Sequence, residues 1–498
     1  MSDVSPTQKI TLPNGKTLEA HTSLFINNKF VESIDGRRFE TINPATEKPI
    51  VSIAEGTAAD IDVAVDAALE AFEKVWQHVD GKERGRLLYK LTDLMMRDME
   101  ELGHLEALDT GKPIQNATGD VEDAADVLRY YAGWADKIHG KVIETSHEKF
   151  CYTRHEPIGV VGQIIPWNYP ISMLSWKLGP ALACGNTIVL KPAEQTPLSA
   201  LKTAALIREA GFPPGVVNIV PGFGPIAGAA IARHMKITKV AFTGSTTVGK
   251  NILKAAADSN LKKVTLELGG KSPNIIFADA DLEQAIKWAH NGVFSNTGQN
   301  CCAGSRVYVQ DTIYDKFLEQ YKEFVLSKKI GSQYEPDVYQ GPLISKVQFD
   351  RIMSYIQAGK DEGANLVLGG DRHGTEGYFV QPTIFTDVNE SMKIMQEEIF
   401  GPVVAIARFK TVEEVIEKAH LTKYGLAAAV FTKDVTRAIK ISNALKAGSV
   451  WVNCYNQTDY NAPFGGFKES GHGRELGKYA LQNYTEVKTV QINLDMKR

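Results

Sequence analysis

Five apolar runs decide the fold of this chain: VVGQII (160–165), NTIVLKP (186–192), VVNIVPG (216–222), KVAFTG (239–244) and KVTLEL (263–268). Helix-like segments such as PLSALKTAALIREAG (197–211) separate them. This alternation predicts an α/β fold, with a parallel sheet and helices on both of its faces. Ligands of such sheets bind at the carboxyl ends of the strands, so a site is expected there.

A second strand–helix pattern begins at residue 270 and continues to about residue 470. Its strand-like runs include NIIF (274–277), SRVYVQ (305–310) and SVWVN (449–453). We therefore expect two α/β domains, because a chain of 498 residues is too long for a single core. The amphipathic helical patterns between residues 57 and 134 are interpreted as scaffold.

Two stretches, 138–158 and 485–498, are predicted as strands outside both domains. Isolated ribbons of this kind are marginal in water and need a partner sheet. We interpret both as a small β oligomerisation arm, and packing on their own subunit is the alternative. The predicted domains are then 1–137 with 159–268, which would bind a cofactor, and 269–484, which would be catalytic.

Composition excludes several classes of protein. Hydrophobic residues make up 43% of the chain and charged residues 23%, as in ordinary globular enzymes. The net charge of −4 gives no footprint for nucleic acid, and no apolar run is long enough to span a membrane. No CxxC pair or histidine cluster predicts a metal site.

The compartment follows from the chain ends and the cysteines. The start, MSDVSPTQKITLPNG (1–15), has no signal-peptide pattern. Five cysteines, an odd number, argue against a disulfide framework and for a reducing compartment. We expect a cytoplasmic protein.

The loop Phe294–Arg306, FSNTGQNCCAGSR, carries the clearest chemical signal. Cys301 and Cys302 stand side by side among small and polar residues, so a ligand can reach sulfur. A reactive thiol needs that access and a lowered pKa. Because the loop opens the second domain, the site is expected in the cleft between the domains. The alternative is a loop that holds two core-facing cysteines.

Two strand-end turns of the first domain carry dinucleotide signals. Gly222–Ala227, which includes Gly224, matches G-x-G-x-x-[GA], but lacks the acidic residue expected about 20 positions later. Phe242–Gly249 leaves a strand and enters a helix. There, next to Gly244, Ser245 and Thr246 could cap the helix N-terminus and hold a phosphate.

Lys191 and Glu194 follow another strand of the same predicted sheet. Together they could bind ribose hydroxyls, with the carboxylate accepting from both. A carboxylate at this place would repel a 2′-phosphate, which favours NAD over NADP. A solvated surface pair is the alternative.

Six motifs resemble the aldehyde dehydrogenase superfamily, above all its NAD-dependent tetrameric branch of the cytosol and mitochondria: IIPWNYP (164–170), FTGST (242–246), LELGGKSPN (266–274), GQNCCAGSR (298–306), EEIFGPV (397–403) and PFGGFKESGHGRE (463–475). The resemblance covers nearly the whole chain. It implies a Rossmann-like cofactor domain, a related catalytic domain, an oligomerisation arm and a homotetramer built as a dimer of dimers. The implied reaction oxidises a small-molecule aldehyde to its acid with NAD, through a cysteine thiohemiacetal and a thioester that water hydrolyses.

The resemblance also assigns roles to single residues. Cys301 matches the nucleophile, because the family pattern reads G-Q-x-C. Glu267 matches the general base that activates water, and Asn168 matches the side-chain donor to the oxyanion. Lys177 and Glu475 match residues proposed to relay protons from that base.

Cofactor and substrate contacts complete the predicted site. The cofactor contacts, from the turns above and from the resemblance, are Ile165, Trp167, Lys191, Glu194, Gly224, Phe242, Gly244, Ser245, Glu398 and Phe400. Among them, Glu398 resembles the acid that holds the nicotinamide ribose, and Phe400 would pack nearby. The implied aldehyde tunnel is lined by Tyr169, Met173, Trp176 and Phe464.

Two features depart from the animal members of the family. Asn300 precedes the nucleophile where those members commonly carry Cys or Ile, and the loop CYNQTD (454–459) is more polar than a channel for long hydrocarbons. We therefore expect acetaldehyde-sized or polar substrates. Two alternatives stay open: a CoA-acylating enzyme of the same fold, against which Glu267 speaks, and a structural or NAD-binding relative without turnover.

Overall fold

The computed structural model describes residues 7–13 and 15–494. Residues 1–6, 14 and 495–498 lie outside the described residues. They include part of the chain start that lacks a signal-peptide pattern, and the end of the predicted 485–498 strand.

Strands and helices alternate along most of the described chain. The strands are β1 (Thr7–Thr11), β2 (Thr17–His21), β3 (Leu24–Ile26), β4 (Lys29–Val31), β5 (Arg38–Asn43), β6 (Lys48–Ala54), β7 (Val142–Ser146), β8 (Lys149–Pro157), β9 (Val160–Ile164), β10 (Thr187–Lys191), β11 (Val217–Ile219), β12 (Lys239–Thr243), β13 (Lys263–Glu267), β14 (Pro273–Ile276), β15 (Arg306–Gln310), β16 (Lys329–Ile330), β17 (Val338–Gln340), β18 (Asn365–Leu368), β19 (Thr383–Thr386), β20 (Val403–Phe409), β21 (Tyr424–Gly425), β22 (Ala427–Phe431), β23 (Ser449–Val452), β24 (Phe467–Lys468), β25 (Gly471–His472) and β26 (Thr485–Asn493). The α-helices are α1 (Ala58–Lys74), α2 (Gly81–Arg97), α3 (Met99–Thr110), α4 (Ile114–Ala132), α5 (Pro170–Ala183), α6 (Leu198–Ala210), α7 (Ala229–Arg233), α8 (Thr246–Ala257), α9 (Leu282–Phe294), α10 (Tyr314–Leu326), α11 (Lys346–Asp361), α12 (Lys393–Gln396), α13 (Val412–His420) and α14 (Val435–Ala444).

The first sheet has the strand order β25-β13-β12-β9-β10-β11-β3-β4. The strands from β13 to β11 are parallel to one another, and β25, β3 and β4 are each antiparallel to their neighbours. Every residue of β9, β10 and β12 is buried, as expected of strands covered on both faces. All five apolar runs form strands of this sheet, so the predicted α/β fold with a parallel sheet is confirmed.

The second sheet has the order β18-β19-β20-β15-β14-β22-β23, and it is parallel except for β18. The chain then returns to the first sheet through β25, which pairs with β13 at Leu266–His472 and Glu267–Gly471. This return matters for the site, because it places the segment around Glu475 beside Glu267. The domain bounds themselves stay a prediction.

The two predicted arm stretches pair with each other in an antiparallel sheet of order β26-β8-β7. β26 runs along the whole of β8, from Thr485–Pro157 to Asn493–Lys149. Every residue of β7 is exposed, including Val142 at 73%. Within the described residues no further strand pairs with β7 or β26, so both edges of this sheet are open.

Candidate active site

A cavity of ≈ 560 Å³ lies where the strand ends of the first sheet meet the loop that precedes β15. Twelve of the predicted site residues line it: Trp167, Asn168, Tyr169, Met173, Trp176, Gly244, Ser245, Glu267, Cys301, Glu398, Phe400 and Phe464. The cavity therefore brings together most of the predicted catalytic, cofactor and substrate residues.

The other predicted residues lie outside the lining of this cavity. Lys177 and Glu475 form a buried pair next to Glu267. At the carboxyl ends of consecutive parallel strands or just after them, along one edge of the first sheet, lie Ile165, Lys191, Glu194, Gly224 and Phe242. That edge is where a parallel sheet binds its ligand.

A strained turn presents the cysteine loop to the cavity. α9 ends at Phe294, and the next turn contains three consecutive residues in the left-handed region: Asn296 (φ 49°), Thr297 (φ 59°) and Gly298 (φ 71°). A Cβ on Gly298 would stand 2.1 Å from the Gly401 carbonyl oxygen, so this position requires glycine. Left-handed non-glycine residues cost free energy and persist at sites that the surrounding structure enforces.

Two amides join this turn to the loop before α5. The Asn296 Nδ2 donates to the Asn168 carbonyl at 2.9 Å, and the Asn168 Nδ2 donates to the Gln299 carbonyl at 2.9 Å. These two bonds cross in opposite directions between the loops. They fix Asn168 beside the cysteine loop, which the sequence predicted only through the resemblance.

The two cysteines differ in exposure. Cys301 is partly exposed and Cys302 is 2% exposed. The neighbouring Cys302 thiol, burial and the Glu398 charge raise the pKa of the Cys301 thiol well above its ordinary value. The expected lowered pKa is therefore wrong for the protein alone, and Cys301 needs a base to become a thiolate near neutral pH.

Glu267 ends β13 and is 6% exposed. Burial and then the charge of Glu475 raise the pKa of its carboxyl well above the ordinary value, while Lys177 opposes the shift. Within the described residues its Oε2 has no hydrogen-bond partner. The carboxyl can therefore exchange protons closer to neutral pH than an exposed glutamate.

A buried ion pair adjoins this carboxyl. The Lys177 Nζ donates to Glu475 Oε1 at 2.7 Å and to Thr243 Oγ1 at 2.8 Å. Thr243 is the register partner of Glu267 on the neighbouring strand. Lys177 and Glu475 are therefore held against the strand that carries Glu267.

Glu398 lies at the other side of the cysteine loop. Its Oε1 accepts from the Gly270 N–H at 3.1 Å, and burial raises its pKa to about 7. Phe400 is left-handed at φ 62°, and its ring meets Trp167 edge-on with 5.2 Å between centroids. This end of the cavity combines one fixed carboxyl with two aromatic walls.

The strand ends next to the cavity carry polar groups in the predicted positions. The Lys191 Nζ donates to Glu194 Oε2 at 3.3 Å and to the Gly222 carbonyl at 2.6 Å. The Ser245 hydroxyl caps α8 by accepting from the Val248 N–H at 3.3 Å. The predicted helix N-terminus at this turn is thus confirmed.

Aromatic rings line the side of the cavity away from Glu398. Trp176 and Phe464 meet edge-on at 5.5 Å, and the Lys112 Nζ lies 4.2 Å from the centre of the Tyr169 ring. Lys112 also forms a buried ion pair with Asp120. The Lys112 charge beside the Tyr169 ring is therefore already neutralised by Asp120.

The sequence missed the contribution of two helices to this cavity. α4 supplies Asp120, Asp123 and Asp126, and α11 supplies Gln348 and Arg351. The interpretation of the helices before residue 134 as scaffold is wrong for α4. The three aspartates recur at every third position, which places them on one helix face, but a solvated face has the same spacing.

Among residues 7–13 and 15–494, no group of three or more His, Cys, Asp or Glu side chains could hold a metal ion. The same residues contain no helix with the length and apolar character needed to cross a membrane.

Sequence and structure comparisons agree on the family. The profile described as "Aldehyde dehydrogenase family" matches residues 30–490. An aldehyde dehydrogenase of Aspergillus niger is 61% identical over 494 residues, with 99% of each chain covered, and aldehyde dehydrogenase 1A1 of Oryctolagus cuniculus is 56% identical, with 96% of this chain and 97% of the relative covered. The solved NAD+ complex of an aldehyde dehydrogenase from Bacillus cereus is 53% identical, with a TM-score of 0.95 and coverage of 98% of this chain and 100% of that one.

The chain belongs to the aldehyde dehydrogenase family. The resemblance drawn from the six motifs is confirmed, and so is the prediction of an aldehyde-oxidising enzyme.

Proposed function

We propose that this protein oxidises an aldehyde to its carboxylic acid with NAD, through a covalent intermediate on Cys301. One observation carries the proposal: Cys301, Glu267 and Asn168 line a single cavity beside the ligand-binding edge of the first sheet. The relatives described above support the choice of NAD, since the Bacillus cereus structure is an NAD+ complex.

The residues along the sheet edge fit NAD. A Cβ on Gly224 would meet no atom within 4 Å, which leaves room for a ligand against the backbone. The N-terminus of α8, capped by Ser245, suits a diphosphate. Glu194 and Glu398 would accept from the hydroxyls of the two riboses. When bound, NAD supplies the acceptor for the hydride that leaves the aldehyde carbon.

The first chemical task of the chain is to add sulfur to the aldehyde. Because the pKa of Cys301 is raised, a base must take the thiol proton, and Glu267 has an unpaired oxygen in the same cavity. Attack by sulfur turns the carbonyl oxygen into an alkoxide. The Asn168 Nδ2 has two protons and gives one to Gln299, so the other is left for that alkoxide. Loss of one such donor typically costs ~10²–10³ in rate.

The second task is to release the acid. Once the aldehyde carbon has been oxidised, it is held as a thioester on Cys301. Glu267 takes a proton from water, the hydroxide adds to the thioester carbon, and the acid leaves as the Cys301 sulfur departs. General-base help of this kind is worth ~10²–10⁴. The pair of Lys177 and Glu475 adjoins Glu267 and would pass its proton onward.

Product analysis tests this function. The protein with an aldehyde and NAD, and without CoA, is expected to form free acid and NADH in equal amounts. If acid forms only after acyl-CoA is made and hydrolysed, the CoA-acylating alternative replaces the proposal. A protein that binds NAD and forms neither product would be a non-catalytic relative.

Substrate preference is expected to favour short aldehydes. The cavity carries Asn300, Asn456 and Asp459 beside its aromatic rings, and covering a polar group with hydrocarbon costs ~1–3 kcal/mol. We predict that kcat/KM for acetaldehyde exceeds that for decanal by about tenfold. An apolar channel would instead favour decanal, because each added CH₂ would gain about 0.8 kcal/mol. Steady-state rates for both aldehydes check it, and a strong preference for decanal contradicts it.

The preference for NAD over NADP is expected to depend on Glu194. Glu194→Gln removes the charge that would repel a 2′-phosphate, so the ratio of kcat/KM for NAD to that for NADP falls by about tenfold, because two charges about 4 Å apart interact by about 1 kcal/mol or more even in water. Glu70→Gln is the matched control. Like Glu194, Glu70 forms an ion pair with a lysine close to it in the sequence, Lys74. An unchanged ratio in Glu194→Gln would remove this role.

We also propose a cytoplasmic homotetramer. The open edges of the β26-β8-β7 sheet and the 60% exposure of Val487 support assembly through this arm. All five cysteines are unpaired, which suits a reducing compartment. Sedimentation velocity that finds a stable monomer would argue against the tetramer.

A further inference from the structure

We propose that Cys302 is a positioning residue that ties the nucleophile loop, 295–305, to the substrate-side loop, 453–460, and thereby holds the Cys301 sulfur in place. The inference rests on the proposed function, because it takes Cys301 as the nucleophile. From the sequence, Cys302 was only a neighbouring free thiol.

Every polar group of Cys302 is engaged. Its N–H donates to Asn300 Oδ1 at 3.3 Å, and its carbonyl accepts from the Tyr455 hydroxyl at 2.7 Å. Its Sγ lies 3.2 Å from Asn300 Oδ1 and 3.0 Å from Asn456 Oδ1. A thiol has one proton to donate, and the nearer acceptor is Asn456. Cys302 therefore holds its own loop through Asn300 and the other loop through Tyr455 and Asn456.

Tyr455, the residue of the 453–460 loop that donates to the Cys302 carbonyl, is itself closely packed. Tyr455 is fully buried, and its ring fills the space above Gly292 and Gly304, where an added Cβ would come within 2.8 Å of it. The same two glycines close the nucleophile loop through a bond from the Gly304 N–H to the Gly292 carbonyl at 2.9 Å. The Tyr455 ring therefore packs on the last turn of α9 and on the end of the nucleophile loop, and its hydroxyl donates to the Cys302 carbonyl within that loop.

The hydrogen bonds of Cys302 link the two loops at the cavity. Asn300, Cys301, Cys302 and Asn456 all line the cavity, and the Cys302 Sγ lies within 3.2 Å of an amide oxygen from each loop. Displacement of a reacting group by about 1 Å can cost ~10²-fold in rate. A link between the nucleophile loop and the substrate-side loop therefore holds the Cys301 sulfur at a fixed position relative to the aldehyde that it attacks.

The thiol titration of Cys301 offers a second readout. The neighbouring Cys302 thiol is the largest cause that raises the pKa of Cys301, and the other titratable groups that interact with Cys301 are Glu267, Glu398, Tyr169 and Tyr455. Substitution of Cys302 leaves those four in place. A change in the titration of Cys301 therefore reports on the Cys302 contact.

The test compares Cys302→Ser, which keeps a donor at this position, with Cys302→Ala, which does not. With acetaldehyde and NAD, we expect Cys302→Ala to lose about tenfold to a hundredfold in kcat, with a much smaller change in the KM for NAD. We expect Cys302→Ser to recover most of that loss. Cys184→Ala is the matched control, because Cys184 is also a buried thiol and lies outside the cavity lining.

The rate of Cys301 alkylation by iodoacetamide, followed by mass spectrometry from pH 6 to 10, provides the titration. In both Cys302 variants Cys301 is the only thiol left in the 298–306 segment, so the signal is unambiguous. The midpoint is expected at lower pH in Cys302→Ala than in the wild type and near the wild-type value in Cys302→Ser. Asn456→Ala, which removes the acceptor from the other loop, is expected to lose kcat as Cys302→Ala does.

Wild-type kinetics and an unchanged midpoint in Cys302→Ala would overturn the inference, and so would equal losses in the Ser and Ala variants. A Cys302→Ala protein that fails to fold leaves Asn456→Ala to decide, since full activity there also overturns it. If Cys302→Ser is inactive while Cys301→Ala turns over, the nucleophile itself has been misassigned, and the proposed function fails separately.

Discussion

Cys301→Ala is expected to abolish NADH formation with any aldehyde while the protein still binds NAD. Sulfur forms the only covalent bond to the substrate in the proposed reaction, so its loss removes the thiohemiacetal and the thioester together. Removal of a catalytic nucleophile in comparable enzymes lowers kcat by ~10⁶. We therefore expect activity below about 10⁻⁴ of wild type, measured by NADH absorbance at saturating acetaldehyde.

Cofactor binding in the same variant shows whether the loss is chemical. Among the residues that the structure describes, none of the hydrogen bonds of Lys191 or Ser245 involves Cys301, so titration with NAD is expected to give a Kd close to that of the wild type. Cys454→Ala is a control, because Cys454 is also partly exposed. Full dehydrogenase activity in Cys301→Ala would refute the assignment, and loss of NAD binding would show that the fold had been damaged.

The fold was predictable because its main signal is local. β9, β10 and β12 read as unbroken apolar runs since each is buried on both faces, and the turns between strands and helices carry Gly, Pro, Ser or Thr. The second sheet repeats the pattern. The arm was predicted as strands because its alternation differs from both, but only the structure shows that β8 pairs with β26 across more than 300 residues.

The site was predictable only in part. Motifs identify Glu267 at the end of β13 and Cys301 in the loop before β15, but the pair of Lys177 and Glu475 joins residues 298 positions apart, and no local pattern contains such a contact. The resemblance supplied it. Asp123 on α4 was missed because its side chain reaches the cavity only through the packing of α4 on α5, while its spacing suits an exposed helix face equally well.

The pKa of Cys301 shows the limit of reasoning from neighbours in the chain. Small and polar residues around the thiol predicted access, and a thiol that reacts as a thiolate near neutral pH needs a lowered pKa. The structure leaves Cys301 partly exposed, but Cys302, burial and the Glu398 charge raise its pKa. Charge and burial at this position are tertiary properties, so the need for a separate base could not be inferred from the loop alone.

Because Cys301 needs a separate base, Glu267→Gln is a more informative variant than Cys301→Ala. Gln has the shape of Glu but cannot take a proton, so hydrolysis of the thioester is expected to slow by ~10²–10⁴. If acylation survives, mixing enzyme with NAD and acetaldehyde gives a burst of about one NADH per active site, followed by slow turnover. If Glu267 also takes the Cys301 proton, the burst itself slows as well. Stopped-flow absorbance resolves both rates, and unchanged steady-state turnover would exclude Glu267 as the base.

The pH dependence gives the same variant a second, independent expectation. Burial raises the pKa of Glu267, so the wild-type carboxylate form is lost, and kcat falls, as the pH drops through that raised value. Glu267→Gln is expected to lack this dependence.

For stability the sign is opposite: a protein whose buried carboxyl has a raised folded-state pKa loses stability as the pH rises through that value, because the buried group must then be charged. Relative to wild type, the melting temperature of Glu267→Gln is therefore expected to rise between pH 5 and 9, and the exposed-site control Glu209→Gln is not expected to show this trend. A fall in that relative melting temperature would mean that the wild-type carboxylate is paired and stabilising, and a paired carboxylate could not serve as the base that this mechanism requires.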